Sequence, residues 1–150
     1  TVRAAGGTLS GSGTVEDPYI IEDADDLWTF ANMLRGSTSH LSDCAKIADG
    51  VTMIDVSDEM WQGIPSNMTM PDGYRGTFDG NGATIKLAMA ISGGYQVGFF
   101  NTLDAGGVIK NVTIDGTVSG NYDVGGVCGR NGGTIIDCNN KADVSGKNDR

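Results

Sequence analysis

Proline and histidine are scarce in this chain, three residues and one in 150, and no apolar run approaches the roughly 18 to 20 residues of a membrane span. Membrane insertion by a helix is therefore not expected. The three cysteines, Cys44, Cys128 and Cys138, contain no CxxC pair, and a zinc site would need more ligands at tighter spacing. Their plain reading is as small buried thiols; a Cys128–Cys138 disulfide is the alternative. Bases are in the minority, 10 against 19 acids, giving a net charge of −9. A surface of that sign disfavours nucleic acid and anionic lipid. The acidity is concentrated: residues 1–60 hold eleven acids and three bases, residues 61–150 eight and seven. It reads as a solubilising surface, with Ca²⁺-binding loops as the alternative.

Glycine is abundant instead, 24 residues, about twice the usual share of roughly 7%. Without a collagen period these glycines read as turns and bulges of a β-rich fold. One segment reads as a helix, over about residues 24–35. Asp23 can cap it, Asp25 and Asp26 suit the positive end of its dipole, and Leu27, Phe30, Ala31 and Leu34 make one apolar stripe. Arg35 falls in the expected last turn, with Gly36 as a left-handed terminator. Residues 1–15 read as a leader or first edge strand, Ala45–Val56 as one or two strands. Trp61 and Ile64 read as a buried anchor before a loop from Ser66 to Gly73.

From Gly76 onward the chain repeats itself. Residues 107–120 are echoed 26 positions later by residues 133–146, which sets Ile109 on Ile135, Val112 on Cys138 and Val118 on Val144. Tyr95-Gln-Val-Gly and Tyr122-Asp-Val-Gly recur at 27, and Ile85 precedes Ile109 by 24. Sixteen of the 24 glycines lie in residues 76–150. Strand-like repeats of about 24–27 residues with glycine corners predict a mainly β fold, a β-solenoid whose strands pair in parallel from coil to coil and whose inward residues stack in ladders. The N-terminal amphipathic helix would cap its open end. The expected organisation is a single domain, residues 1–75 forming the cap region and 76–150 the coils. It would be a piece of a longer protein with further repeats beyond residue 150. Asp115 should lie beside Lys141 as an exposed rung.

Several of these stretches resemble GLUG-motif repeat proteins of bacterial cell surfaces. The resemblance rests on Gly11-Ser-Gly-Thr-Val-Glu-Asp-Pro-Tyr-Ile-Ile21, Trp61-Gln-Gly-Ile-Pro65, Gly76-Thr-Phe-Asp-Gly-Asn-Gly82 and Tyr122-Asp-Val-Gly-Gly-Val-Cys-Gly129. Asn101 stands where the repeat would close on glycine, so that corner is expected to be irregular. The resemblance implies a right-handed parallel β-helix in a secreted or wall-attached stalk or adhesin-type region, similar to repeats that accompany IgA1-cleaving zinc peptidases of streptococci. It brings no catalytic residue, cofactor or metal.

The residues offer little chemistry. Asp79-Gly80-Asn81-Gly82 suits a tight turn better than an incomplete Ca²⁺ loop. His40, among Ser37, Ser39 and Ser42, reads as an exposed loop histidine, and neither HExxH nor a phosphate loop is present. Asp104, Asp115, Asp123, Asp137 and Asp143 are raw material for an acid pair, but they fall at corners as turn formers do. Tyr74, Tyr95 and Tyr122 could stack on a ligand, Tyr95 and Tyr122 on adjacent coils. Leu27, Phe30, Leu34, Trp61, Phe78, Ile109, Ile135 and Cys138 are the expected structural positions. The expected function is a non-enzymatic spacer or adhesion module for host or matrix glycans or proteins. A carbohydrate-active β-helix enzyme fragment and an accessory region of a secreted peptidase are the alternatives.

Overall fold

The computed structural model describes residues 8–35, 37–65 and 72–147. Asp23 begins its α-helix, α1 (Ala24–Leu34): its backbone is extended and its carboxylate accepts the Asp26 N–H at 2.9 Å. Leu27, Phe30, Ala31 and Leu34 are buried, and so are Trp28 and Thr29, which a single stripe omits. The helix ends one residue earlier than the spacing predicts. Arg35 has left it (φ −75°, ψ 125°), so no base stands in the last turn; Gly36 lies outside the described residues.

The strands are short and every pairing between them is parallel. Sheet I runs β1 (Tyr19–Ile21), β2 (Ala45–Ile47), β4 (Thr77–Asp79), β7 (Val108–Lys110), β10 (Thr134–Ile136). Sheet II runs β3 (Met53–Asp55), β5 (Thr84–Ala90), β8 (Thr113–Gly120) and β11 (Asn139–Asn140), with β12 (Asp143–Gly146) also on β8. Sheet III is β6 (Phe100–Leu103) and β9 (Cys128–Asn131). Parallel neighbours cannot be joined by a hairpin. From β4 onward the chain leaves one sheet, passes through the others and returns beside its previous strand; β1 and β2 are joined through α1, and β2 and β4 through β3 alone. The protein is thus mainly β, with parallel sheets and one α-helix among the described residues.

Alternation decides which residues face in. In β5, Ile85, Leu87 and Met89 are buried while Lys86 and Ala90 are exposed. Buried positions then pair with buried positions: Phe78 with Ile109, Ile54 with Ile85 and Ile85 with Ile114. The last passes keep the 26-residue register read from the repeats, Ile109 with Ile135 and Val118 with Val144.

The earlier passes differ from expectation. Ile85 pairs with Ile114, not Ile109, and Ile109 is preceded by Phe78, 31 positions back. The longer period comes from insertions at corners. Between the pairs that fix register, the earlier pass holds two extra residues where Gly80–Ala83 turns from sheet I to II, one in 91–99, and two around 104–107. Length added at a corner leaves the strand pairing intact.

Residues 8–15 form no named strand. Ser12, Gly13 and Thr14 donate their N–H groups to Asp17 O, and the first strand is β1. Ala45–Val56 supplies two strands, β2 and β3. Trp61 and Ile64 are buried, and residues 66–71 of the following loop lie outside the described residues.

The core is aromatic near the helix. Trp28 of α1 meets Trp61 at 4.8 Å between ring centroids, Trp61 stacks on Phe99 at 5.6 Å, and Phe30 lies 6.2 Å from both Tyr74 and Phe78. All three cysteines are free thiols, so there is no Cys128–Cys138 disulfide. Cys128 lies in sheet III, whereas Cys138 precedes β11 of sheet II and donates to Ile109 O and Ile136 O.

Candidate functional site

Asp79–Gly82 is a tight turn: Asn81 (φ 51°) and Gly82 (φ 81°) are both left-handed, as Asn-Gly favours. Asp79 Oδ1 accepts from Asn81 N–H at 2.8 Å and from Asn111 Nδ2 at 3.2 Å. Asn81 Nδ2 reaches back to Ile47 O and to Asp49 Oδ1, which, with Lys46, holds the Asp49 carboxyl below its ordinary pKa.

The five acids that could form a catalytic pair are not all at corners: Asp115 lies within β8 and Asp143 within β12. Asp104 accepts the Gly73 N–H and Asp115 the Gly116 N–H, both at 2.8 Å, while Asp123 (φ 41°) and Asp137 (φ 52°) sit in left-handed backbone. Asp143 is exposed in β12. Lys141 donates its backbone N–H to Ile114 O, which continues the β8–β11 register and places it beside Asp115. Among the described residues, however, no ion pair joins the two, so the expected charged rung is not formed. No group of three or more His, Cys, Asp or Glu side chains that could hold a metal occurs among the described residues.

His40 is not a bare loop residue. It ends a short 3₁₀ turn, Thr38–His40, is only half-buried, and its Nδ1 lies 2.7 Å from Asp43 Oδ2. Ser37 and Ser39 bond to each other at 2.8 Å.

Tyr74 is a second correction. Read as a candidate for ligand stacking, it is fully buried: its hydroxyl donates to Asp43 O at 2.7 Å and its ring lies 4.9 Å from that of Phe100. Burial pushes its phenol well above the ordinary range, with Cys44 and Asp43 adding to the shift. Tyr95 and Tyr122 are different. Their rings stack at 5.2 Å and 11° between planes, Tyr95 being 53% exposed and Tyr122 half-buried. The Val97–Val124 bridge beside them fixes the 27-residue offset.

Asn101 turns out to organise the corner where an irregularity was expected. It is buried, its Nδ2 donates to Gln62 O and Pro65 O at 3.0 Å each, and its Oδ1 accepts the Gly98 N–H at 3.2 Å. A Cβ on Gly63 (φ 83°) would collide with this amide, so glycine is required opposite it. Its sequence signal is an amide standing where the repeat otherwise carries glycine.

Cys128 and Cys138 lack the lowered pKa of reactive cysteines. Cys44 is buried, and burial pushes Cys128 up to about 11 and raises Cys138 as well.

Comparison with known proteins bears on this arrangement. The chain is 32% identical over 148 residues to halomucin of Haloquadratum walsbyi, a match covering 95% of this chain and 2% of that protein. It therefore spans a very small part of the curated relative it matches. No solved structure gives a significant match. The family model for the GLUG motif matches residues 120–145, a stretch that contains Tyr122, β9, β10 and β11. With that match on strands that continue the register of the preceding passes, this is a protein that carries the GLUG motif.

Proposed function

We propose that this chain is a segment of right-handed parallel β-helix, closed at one end by α1, and that it works as a non-catalytic module of a secreted or cell-surface protein. The observation that carries the reading is the recurrence of parallel pairing in all three sheets as the chain cycles through them. Such a stack makes a stiff body whose outer face is set by corners, which suits a spacer that holds other parts of a protein apart or offers a ligand surface. The GLUG motif supports a surface setting, as does likeness to a short stretch of a far longer protein. A net charge of −9 favours partners other than nucleic acid.

The test is to incubate the 150-residue chain with host glycans, plant polysaccharides and matrix proteins, reading retention and product release together. Retention without product supports ligand presentation, and neither signal supports a plain spacer. Released sugar or peptide would overturn the non-catalytic reading.

A further inference from the structure

All three sheets end on strands with a free edge. Among the described residues β10 pairs only with β7, β11 and β12 only with β8, and β9 only with β6. Alternation shows which backbone groups are left over. Asn139 N–H donates to Val112 O, Lys141 N–H to Ile114 O and Lys147 N–H to Gly120 O. These residues turn their amides toward β8, so the amides of Asn140 and Val144 point away from it. The inward side chains are uncovered as well. Val118 is fully buried, whereas Val144, paired with it, is 39% exposed. Ile135 is half-buried beside a fully buried Ile109.

Free strand edges beside uncovered apolar side chains recruit another β-segment. Charge and length indicate which one. Residues 1–120 carry fifteen acids and six bases, whereas residues 121–147 carry three of each. Two copies can therefore meet at this neutral end while their acidic parts point apart. Lys141 and Asp143, both exposed, flank Ala142. Antiparallel pairing about Ala142 sets each lysine opposite the other copy's aspartate, and the outward amides of Asn140 opposite those of Val144. Within these 150 residues only three follow Lys147, fewer than the 26 of a pass. At the opposite end β1 is already met by Ser10, which bridges Ile20. We propose that the uncovered end is a docking surface for a second copy of this chain, joined tail to tail by a two-fold axis near Ala142. The contact closes at two copies and covers Val144 of each. It rests on the sheet pairing and not on the non-catalytic reading, so either can fail alone.

The experiment sediments the 150-residue chain from about 10 μM to about 1 mM, where a contact of strand edges and few side chains should pass from monomer to dimer. Val144→Glu should weaken association at least about tenfold. Lys141→Asp sets like charges across the axis and should weaken it too, and adding Asp143→Lys should restore it. All three substituted side chains are exposed, so circular dichroism should hold in every variant. In the parent, hydrogen exchange at the Val144 N–H should slow as concentration rises. A single monomer mass throughout, or a Val144→Glu protein that associates like the parent, overturns the proposal. Mass that climbs past the dimer overturns the two-fold contact. A chain that stays monomeric but retains a matrix protein or glycan, and loses it in Val144→Glu, assigns this end to a different partner and overturns it as well.

Discussion

The two ends of the stacked sheets are built differently on the same backbone plan. Around α1 the rings of Trp28, Phe30, Trp61, Tyr74, Phe78, Phe99 and Phe100 are all buried to within 2%. At the other end no described residue after Gly126 is buried. Ile135 and Cys138 are half-buried, while Ile136 and Val144 are 45% and 39% exposed. Yet β10, β11 and β12 keep a 26-residue register as regular as any in the chain. Register is therefore carried by backbone pairing and corner geometry, whereas stability is supplied by side chains covered on both sides. A rung packed on one face alone removes much less apolar surface from water.

The largest effect that should separate the ends is at the helix. Leu27 is wholly buried, so Leu27→Asp places a carboxylate among rings and should cost about 4 kcal/mol or more. It should also expose the surface under α1 and promote association, read by urea denaturation and by light scattering. A variant as stable and monomeric as the parent would show that α1 covers nothing essential. Next comes a matched pair within one ladder. Phe78→Ala removes a fully buried ring and should cost about 3–5 kcal/mol, whereas Ile135→Ala, two strands away in sheet I, should cost about 1–2 kcal/mol. Equal losses in urea denaturation would abolish the distinction between the ends.

Asn101 gives the third test, of a polar tie inside the closed end. Asn101→Ala strands the carbonyls of Gln62 and Pro65 and the N–H of Gly98, at a cost of about 2–3 kcal/mol. Hydrogen exchange should quicken at Gly98 and Asn101, whose N–H groups bond to the Asn101 side chain and to Ile64 O. Unchanged exchange there would mean that the amide is dispensable.

These residues also mark how far the sequence could be read. The final two passes were legible because 107–120 and 133–146 carry the same corner chemistry at a constant spacing. The helix was legible from Asp23 and the Leu27-Phe30-Leu34 spacing, although Trp28 was not: it lies off that stripe, and only the approach of Trp61 explains its burial. The earlier register was hidden because the 24-residue match of Ile85 on Ile109 joins strands of different sheets: Ile85 belongs to sheet II beside Ile114, and Ile109 to sheet I beside Phe78. Tyr74 looked exposed because it stands alone beside a loop, and its cover, Phe30 and Phe100, comes from distant segments. The Tyr95–Tyr122 offset was visible in the sequence as a 27-residue recurrence, and the two rings stack.

The smallest expected effect probes the weaker end by pH. Burial raises the Cys128 thiol to about 11, above its ordinary value of 9.0. Between those values the unfolded chain loses the proton first and so binds fewer protons than the folded one. Stability must then fall as pH rises, by at most about 1.4 kcal/mol per pH unit for one group. The contribution is fully present below pH 9.0 and gone once the folded thiol itself ionises near 11. Cys138 is shifted in the same direction and steepens the loss. Replacing Cys128 with Val removes its share, so the variant's urea midpoint should decline less steeply between pH 9 and 11 than the parent's. Because Cys128 belongs to the thinly packed passes, the parent's alkaline loss should first appear as faster hydrogen exchange in β9 and β10, before the rings around α1 respond. Simultaneous loosening of both regions would mean that the two ends unfold as one cooperative unit, despite the difference in their packing.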